Sequence, residues 1–443
     1  MLDLSLVPQV KGARHWSVDI DQTYHPTGLL GEDIADIVYA RDTVNVTKFI
    51  PILVKEWMYL LKKDGFLILD YKANQICDGE ILEKWMWSLW KGKYEIVYHD
   101  SISLDKASDL SEEKLREFLH LTEPQKDVFD GKGVLGIKGN AGETEIPYFR
   151  FICKKTSSTL NSSDSIKKWT VGIVTNGKRP TWVRELVESV KRQNIPEYEI
   201  LIVGSHVDIN SDNVKFFPFT VRDNGKGWIT RKKNMIIENA KYENLLILHD
   251  RMILGDGWFA GMERWGNCFE ALAVPQVVQA TGERFGDWHC TVNFRREKRD
   301  SLGVIGGKMD YRDWDRDIPS YAAVTIAKRR LLEAVRFDET LYWGEYDDLV
   351  LHQDMTQHGV VLRFNADATI FTQTKSTTAL DWYFEYNLLK RGRLRGESLL
   401  ALVGLKALAM IGIDKTSSVL NPIRSYLRFR QNIRTHKDGE PHK

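Results

Sequence analysis

Twice along this chain, short apolar runs alternate with segments of helical spacing, and that alternation limits the possible folds more than any other feature. In the first half, Ile34 to Tyr39 and Phe66 to Asp70 read as buried strands, with helical spacing over Phe49 to Leu61 between them. The Asp64-Gly65 pair is placed to stop that helix and turn the chain into the next strand. In the second half, strands at Val171 to Thr175, Glu199 to Val203 and Leu245 to Leu248 alternate with helices over Trp182 to Gln193 and Thr230 to Asn239. Parallel strands with helical crossovers need cover on both faces, so the expected class is α/β, with ligands at the carboxyl ends of the strands.

The stretch Thr156 to Lys168, TSSTLNSSDSIKK, reads as a linker between the halves. The predicted organisation is a domain over 1–155, a linker over 156–168, a second domain over 169–374 and a helical, basic tail over 375–443. A length of 443 residues suits two or three compact units. The formal charge of +1 supplies no global field to recruit nucleic acid, so no nucleic-acid partner is expected. The four cysteines are far apart without a CxxC pair, which reads as reduced thiols. No leader-like start and no uncharged apolar run of about 18 residues is visible, so a cytoplasmic location is expected. In the tail, Leu399 to Ile413 carries one charge, Lys406, and Arg424, Arg428, Arg430 and Arg434 follow. These helices either pack on the second domain or form a dimer contact, or else lie in a bilayer interface as a peripheral membrane contact. The oligomeric state is left open.

Three segments of the first half carry a resemblance: Trp16-Ser-Val-Asp-Ile-Asp21, Asp33-Ile-Ala-Asp-Ile-Val-Tyr39 and Leu60-Leu-Lys-Lys-Asp-Gly-Phe-Leu-Ile-Leu69. They resemble class I S-adenosylmethionine-dependent methyltransferases, which implies a Rossmann-like domain in which Asp19 or Asp21 meets a ribose. Those enzymes carry a glycine-rich turn after the first strand, because only glycine lets backbone approach the cofactor. Here that place holds Leu2-Asp-Leu-Ser-Leu-Val-Pro-Gln9, without glycine. An inactive, methyltransferase-like domain that is structural or positions an acceptor is therefore expected. The aromatic cluster Trp85 to Trp90 reads as a packed helix face.

In the second half, the strand ending at Val174 runs into the polar loop Thr175-Asn176-Gly177, and Lys232, Lys233 and Asn234 lie in the first turns of a helix suited to a diphosphate. The strand Asn244-Leu-Leu-Ile-Leu-His-Asp-Arg251 ends abruptly in three polar residues. Ser320 to Arg330 follows as strand and helix, and Asp338 to Asp348 holds five carboxylates beside Trp343 and Gly344. Taken in order, these elements resemble glycosyltransferase family 2 and its GT-A relatives. The resemblance implies a nucleotide-sugar donor held by Thr175, Asn176, Lys232, Lys233, Asn234, His249, Asp250 and Arg251. It implies a general base in the acidic cluster, with Asp348 in the base position, Asp347 promoted by a one-residue shift, and Glu345 third. Trp288, His289 and Trp343 are the candidate acceptor contacts, the acceptor being a glycan or a lipid-linked glycan.

The family's divalent metal, Mg or Mn, would be held at Asp250. Arg251 replaces a carboxylate expected there, and Thr372 and Gln373 stand where relatives often place a histidine. A guanidinium pairs with phosphate oxygens rather than with a cation, so metal is expected to be dispensable. The overall expectation is an inverting glycosyltransferase, a hexosyl- or pentosyl-transferase of surface polysaccharide synthesis. Two other readings use the same residues: a methyltransferase with an appended sugar-nucleotide-binding module, and a non-catalytic glycan-binding scaffold.

Overall fold

The computed structural model describes residues 1–5, 13–15, 20–74, 77–102, 113, 116, 148–158, 164–209, 211–292, 304–315, 318, 323–343 and 347–374. The expected basic tail, Asp19 and Glu345 lie outside them. The chain is α/β and divides into two compact units. One comprises Met1–Asp164 with Gln357–Val361, and the other Ser165–Thr356 and the chain from Leu362 onward. Among the described residues, no helix is long and apolar enough to cross a membrane.

The first unit contains β1 (Leu2–Asp3), β2 (Arg14–His15), α1 (Pro26–Leu30), β3 (Ala35–Arg41), α2 (Ile50–Leu60), β4 (Leu61–Lys72), α3 (Gly79–Trp90), β5 (Tyr94–Ile102) and β6 (Tyr148–Lys155). Its sheet runs in the order β2-β1-β3-β4-β6-β5. The first four strands in that order are parallel, and β6 is antiparallel to both neighbours. The Asp64-Gly65 pair does not stop the helix. Helix α2 ends at Leu60, where the buried Lys155 ammonium donates to the carbonyls of Met58 and Leu61. Orphan carbonyls at a helix end need such a donor. Asp64, with φ of +66°, instead lies inside β4, where the register against β3 slips. In α3, Met86, Leu89 and Trp90 are buried as a packed face, while Trp87 points outward.

The second unit contains β7 (Lys168–Thr175), α4 (Pro180–Lys191), β8 (Glu197–Gly204), β9 (Val214–Pro218), α5 (Val221–Lys226), α6 (Ile229–Asn239), β10 (Asn244–His249), β11 (Met252–Leu254), α7 (Trp258–Trp265), β12 (Ala271–Ala273) and β13 (Gln276–Val278). It continues with β14 (His289–Val292), β15 (Val304–Lys308), β16 (Val324–Lys328), α8 (Arg329–Val335), α9 (Asp347–Gln357), β17 (Arg363–Phe364) and β18 (Ile370–Thr372). The main sheet runs β17-β12-β16-β10-β7-β8-β9. Strands β10, β7, β8 and β9 are parallel, as the alternation predicted, but β16 is antiparallel to β10 and β12. The sheet is therefore mixed rather than wholly parallel. A smaller sheet joins β11, β18 and β13.

The apolar runs of β7, β8 and β10 form the centre of this unit's core, where the Trp169 and Trp258 rings meet edge to face at 5.1 Å. Burying each such side chain contributes roughly 1.5–3 kcal/mol. Glycine is required at several points, two of them in the strands that lead to the site. At Gly172, a Cβ would come within 2.4 Å of the Ile236 side chain, so its absence lets α6 settle on the sheet. At Gly204, where φ is +149°, a Cβ would lie 1.9 Å from the Thr175 carbonyl oxygen. That contact fixes the carboxyl ends of β7 and β8, where the sequence expects a ligand.

Candidate active site

The ends of β7 and β10 bring Thr175, His249, Asp250 and Arg251 together. The Thr175 hydroxyl donates to Asp250 Oδ2 at 2.8 Å and accepts from the Gly177 amide at 3.0 Å. The Lys232 ammonium, arriving from α6, donates to the Thr175 carbonyl at 2.8 Å. Burial lowers the Lys232 pKa to about 8, opposed by the nearby Asp250 charge. Asn176 is exposed and its Oδ1 accepts from the Lys178 amide, closing the turn. Arg179, absent from the sequence expectations, lies half exposed with a guanidinium nitrogen 4.0 Å from Asp250 and its Cζ 4.4 Å from the centre of the Trp182 ring. Its place in the loop after β7 was the only signal available.

A second set of contacts joins α6 to the approach to α9. Asn234 Nδ2 donates to the Phe337 carbonyl and to Glu339, while its Oδ1 accepts from the Phe337 amide. Thr230 donates to the Leu341 carbonyl, and Trp228 Nε1 to that of Glu339. The Trp343 amide donates to the Gly227 carbonyl at 2.9 Å. Asn234 therefore clamps backbone rather than facing a diphosphate, since its amide group is buried and its hydrogen bonds are made within the protein.

Lys233 also departs from expectation. Its ammonium is fully buried and donates to Asp347 Oδ2 at 2.6 Å, so its charge is matched inside the protein and not offered to a phosphate. Asp348, the next residue, keeps partial exposure, and its Oδ1 accepts from the Leu349 amide at 3.0 Å. Burial, then the adjacent Asp347 charge, pushes its carboxyl up to about 6, with Lys233 acting in the opposite direction. Two neighbouring carboxylates thus have different environments. One is paired with a buried cation, and the other is an unusually basic carboxylate at a partly open position.

His249 is 6% exposed, and neither of its ring nitrogens has a hydrogen-bond partner among the described residues. Burial, followed by the charges of Lys233, Arg251 and Lys232, holds its pKa well below the usual value, so the ring is neutral. Its ring centroid is 5.3 Å from that of Trp343, which is 58% exposed. Leaving a buried polar group unsatisfied costs roughly 1–3 kcal/mol, which makes this imidazole the most conspicuous unmet group of the site.

Of the expected acceptor contacts, only Trp343 presents an open face. Trp288 is fully buried against Phe364, and its indole N–H donates to the Asp313 carbonyl, so it belongs to the interior. His289 is buried as well, with its pKa pushed down to about 3 by that burial. Arg251 and Gln373, at positions where the resemblance expects metal ligands, are linked through backbone: the Gln373 amide N–H donates to the Arg251 carbonyl at 2.8 Å. Gln373 Nε2 donates to Glu185 at 2.6 Å. Among the described residues, no group of three His, Cys, Asp or Glu is spaced to hold a metal ion. Asp250 already accepts from Thr175 and stands among Lys232 and Arg179. A carboxylate in such cationic company does not fit a tightly held divalent ion, which favours several oxygen ligands.

No family model matches the chain, and no curated protein matches it. Among solved structures, GalNAc-T7 with UDP, GalNAc and Mn2+ is similar at 13% identity, with a TM-score of 0.36, over 46% of this chain and 43% of that one. This chain therefore spans less than half of that protein's length. S. aureus TarS 1-349 is similar at 15% identity, with a TM-score of 0.28, over 59% of this chain and 71% of that one. The same fragment in complex with UDP-GlcNAc gives 13% identity and 0.32, over 56% and 67%. Likeness at these values decides nothing about chemistry, which rests on the residues of the site.

Proposed function

We propose that the second unit is an inverting glycosyltransferase that moves a sugar from a nucleotide-sugar donor to a hydroxyl of a glycan or lipid-linked glycan acceptor. The observation that carries this reading is the division between Asp347, ion-paired with Lys233, and Asp348, which has no ion pair among the described residues, accepts from the Leu349 amide and is raised to about 6. A general base must be ionised at working pH and basic enough to take a proton, and a carboxylate near 6 meets both needs. In the proposed step, Asp348 accepts the acceptor's hydroxyl proton as that oxygen attacks the anomeric carbon. The bond from that carbon to the diphosphate breaks, and its electron pair leaves with the diphosphate. Arg251, Lys232 and Arg179 would face the charge that develops there. Lys233, expected to share that task, is instead proposed to set the electrostatics of the acids.

Family resemblance suggests a metal, but the residues do not fit one held tightly, so no step is routed through it. Arg251 is proposed to supply the fixed positive charge. In the first unit, Asp3 is buried and binds the amide and hydroxyl of Ser5, and Asp21 binds the amide and hydroxyl of Thr23. Both acids thus serve local turns, which favours a supporting role over methyl transfer. The test is incubation with a panel of nucleotide sugars, following release of the nucleoside diphosphate, with NMR of the product anomer. Retention of anomeric configuration would refute inversion. Binding of S-adenosylmethionine alone in calorimetry would favour the methyltransferase reading.

A further inference from the structure

We propose that His249 reads the hydroxyl groups of the transferred sugar, and so selects donors by their sugar rather than by their phosphates. The inference rests on the glycosyltransferase reading and deepens it. A neutral imidazole carries one N–H donor and one bare acceptor nitrogen. Here both are buried and, among the described residues, unmet, on the last residue of β10, directly before Asp250 and Arg251. Buried polar atoms in native proteins find partners, so an atom left without one within the protein points to a ligand.

The chemistry of the missing partner follows from the ring's surroundings. A phosphate oxygen only accepts, so phosphate contacts alone would leave the bare acceptor nitrogen of a neutral imidazole without a donor. A hydroxyl both donates and accepts, so one sugar hydroxyl can give its proton to the bare nitrogen while another accepts the N–H. Ammonium and guanidinium groups cannot supply the acceptor half of that exchange. Beside His249, the indole of Trp343 is the large apolar side chain of the site that remains open. Its face suits the C–H side of a pyranose. The two residues are held in register because the Trp343 amide is anchored to Gly227 at the start of α6. This pairing of an open aromatic face with a hydroxyl-reading imidazole describes a site for an uncharged sugar ring.

The experiment is calorimetric titration of the full chain, and of its His249→Ala and His249→Asn variants, with UDP-glucose, UDP-N-acetylglucosamine, GDP-mannose and dTDP-rhamnose, and with UDP, GDP and dTDP. For the sugar that binds the wild type best, His249→Ala is expected to weaken affinity by about tenfold or more, the size of one lost buried hydrogen-bond set. The matching bare diphosphate should change by less than about twofold, a few tenths of one such contact. His249→Asn keeps one donor and one acceptor, and should recover most of the sugar's affinity. Thermal melting of both variants separates loss of contact from loss of fold. Equal losses for sugar nucleotide and bare diphosphate would overturn the inference, placing the ring on ribose or phosphate, and unchanged affinity would overturn it too. If the wild type binds no nucleotide sugar, the glycosyltransferase reading itself fails.

Discussion

Lys233 donates to Asp347 across 2.6 Å, joining residues 114 positions apart in the chain. The bond reaches from α6 to the first turn of α9, and it gives the two adjacent acids different surroundings. Breaking a buried pair from one side leaves a charge without compensation and costs roughly 3–5 kcal/mol. Lys233→Met should therefore lower the melting temperature markedly. Because Lys233 also draws the Asp348 pKa down, its removal should move the acidic limb of the pH–rate profile upward. A variant with unchanged stability and an unchanged limb would show that the pair has no such role.

The raised Asp348 carboxyl has a stability signature of its own. Its pKa goes from 3.8 to about 6 on folding, so between those values the folded chain binds more protons than the unfolded one. Stability therefore falls as pH rises through that window, and the full penalty is present above it. Two units correspond to roughly 2–3 kcal/mol at most. Asp348→Asn should melt above the wild type at pH 7 and close to it at pH 4. The opposite order in calorimetry would remove the basis for a raised carboxyl.

Arg251 and Gln373, at the two positions where the resemblance expects metal ligands, are joined through backbone, the Gln373 amide donating to the Arg251 carbonyl. Transfer should persist in excess EDTA at no less than about a third of the rate with Mg2+ or Mn2+, on a scale where tenfold is 1.4 kcal/mol. Arg251→Ala should lower turnover by about 10²-fold even with metal present, as loss of a transition-state charge partner does. Complete loss of activity in chelator, restored by Mn2+, would make Asp250 a metal ligand after all.

Gly204 ties the fold to the site. Any side chain there would strike the Thr175 carbonyl, the same oxygen that Lys232 binds. Gly204→Ala should destabilise by about 2 kcal/mol or more, from left-handed backbone and backbone contact together. It should weaken donor binding as well, read by titration with the best nucleotide sugar. Wild-type melting and affinity would exclude the close approach.

The strands and helices around the site were legible because an apolar run ending in polar residues is a local pattern. The runs at Val171, Glu199 and Leu245 became β7, β8 and β10 within a few residues. The antiparallel β16 was not legible, since a buried strand reads the same in either direction. Asn234 and Lys233 were placed by type: polar groups in the first turns of a helix suggest an anion. Their partners, Phe337 and Asp347, lie more than a hundred positions away, and no local pattern announces such a contact. Trp288 illustrates the same limit, because burial of an aromatic ring depends on neighbours such as Phe364 and Asp313. At Asp64, the turn residue was right in kind, but Lys155, a distant donor, decided where α2 ends.

The central claim is that Asp348 removes the acceptor proton, and single-turnover transfer by Asp348→Asn tests it most directly. With donor and acceptor saturating, the variant should transfer sugar at least about 10²-fold more slowly than the wild type, the usual contribution of a general base. Its affinity for the donor, measured in parallel, should be nearly unchanged. A variant that kept more than about a tenth of the wild-type rate would contradict the assignment, because a missing base cannot leave so much.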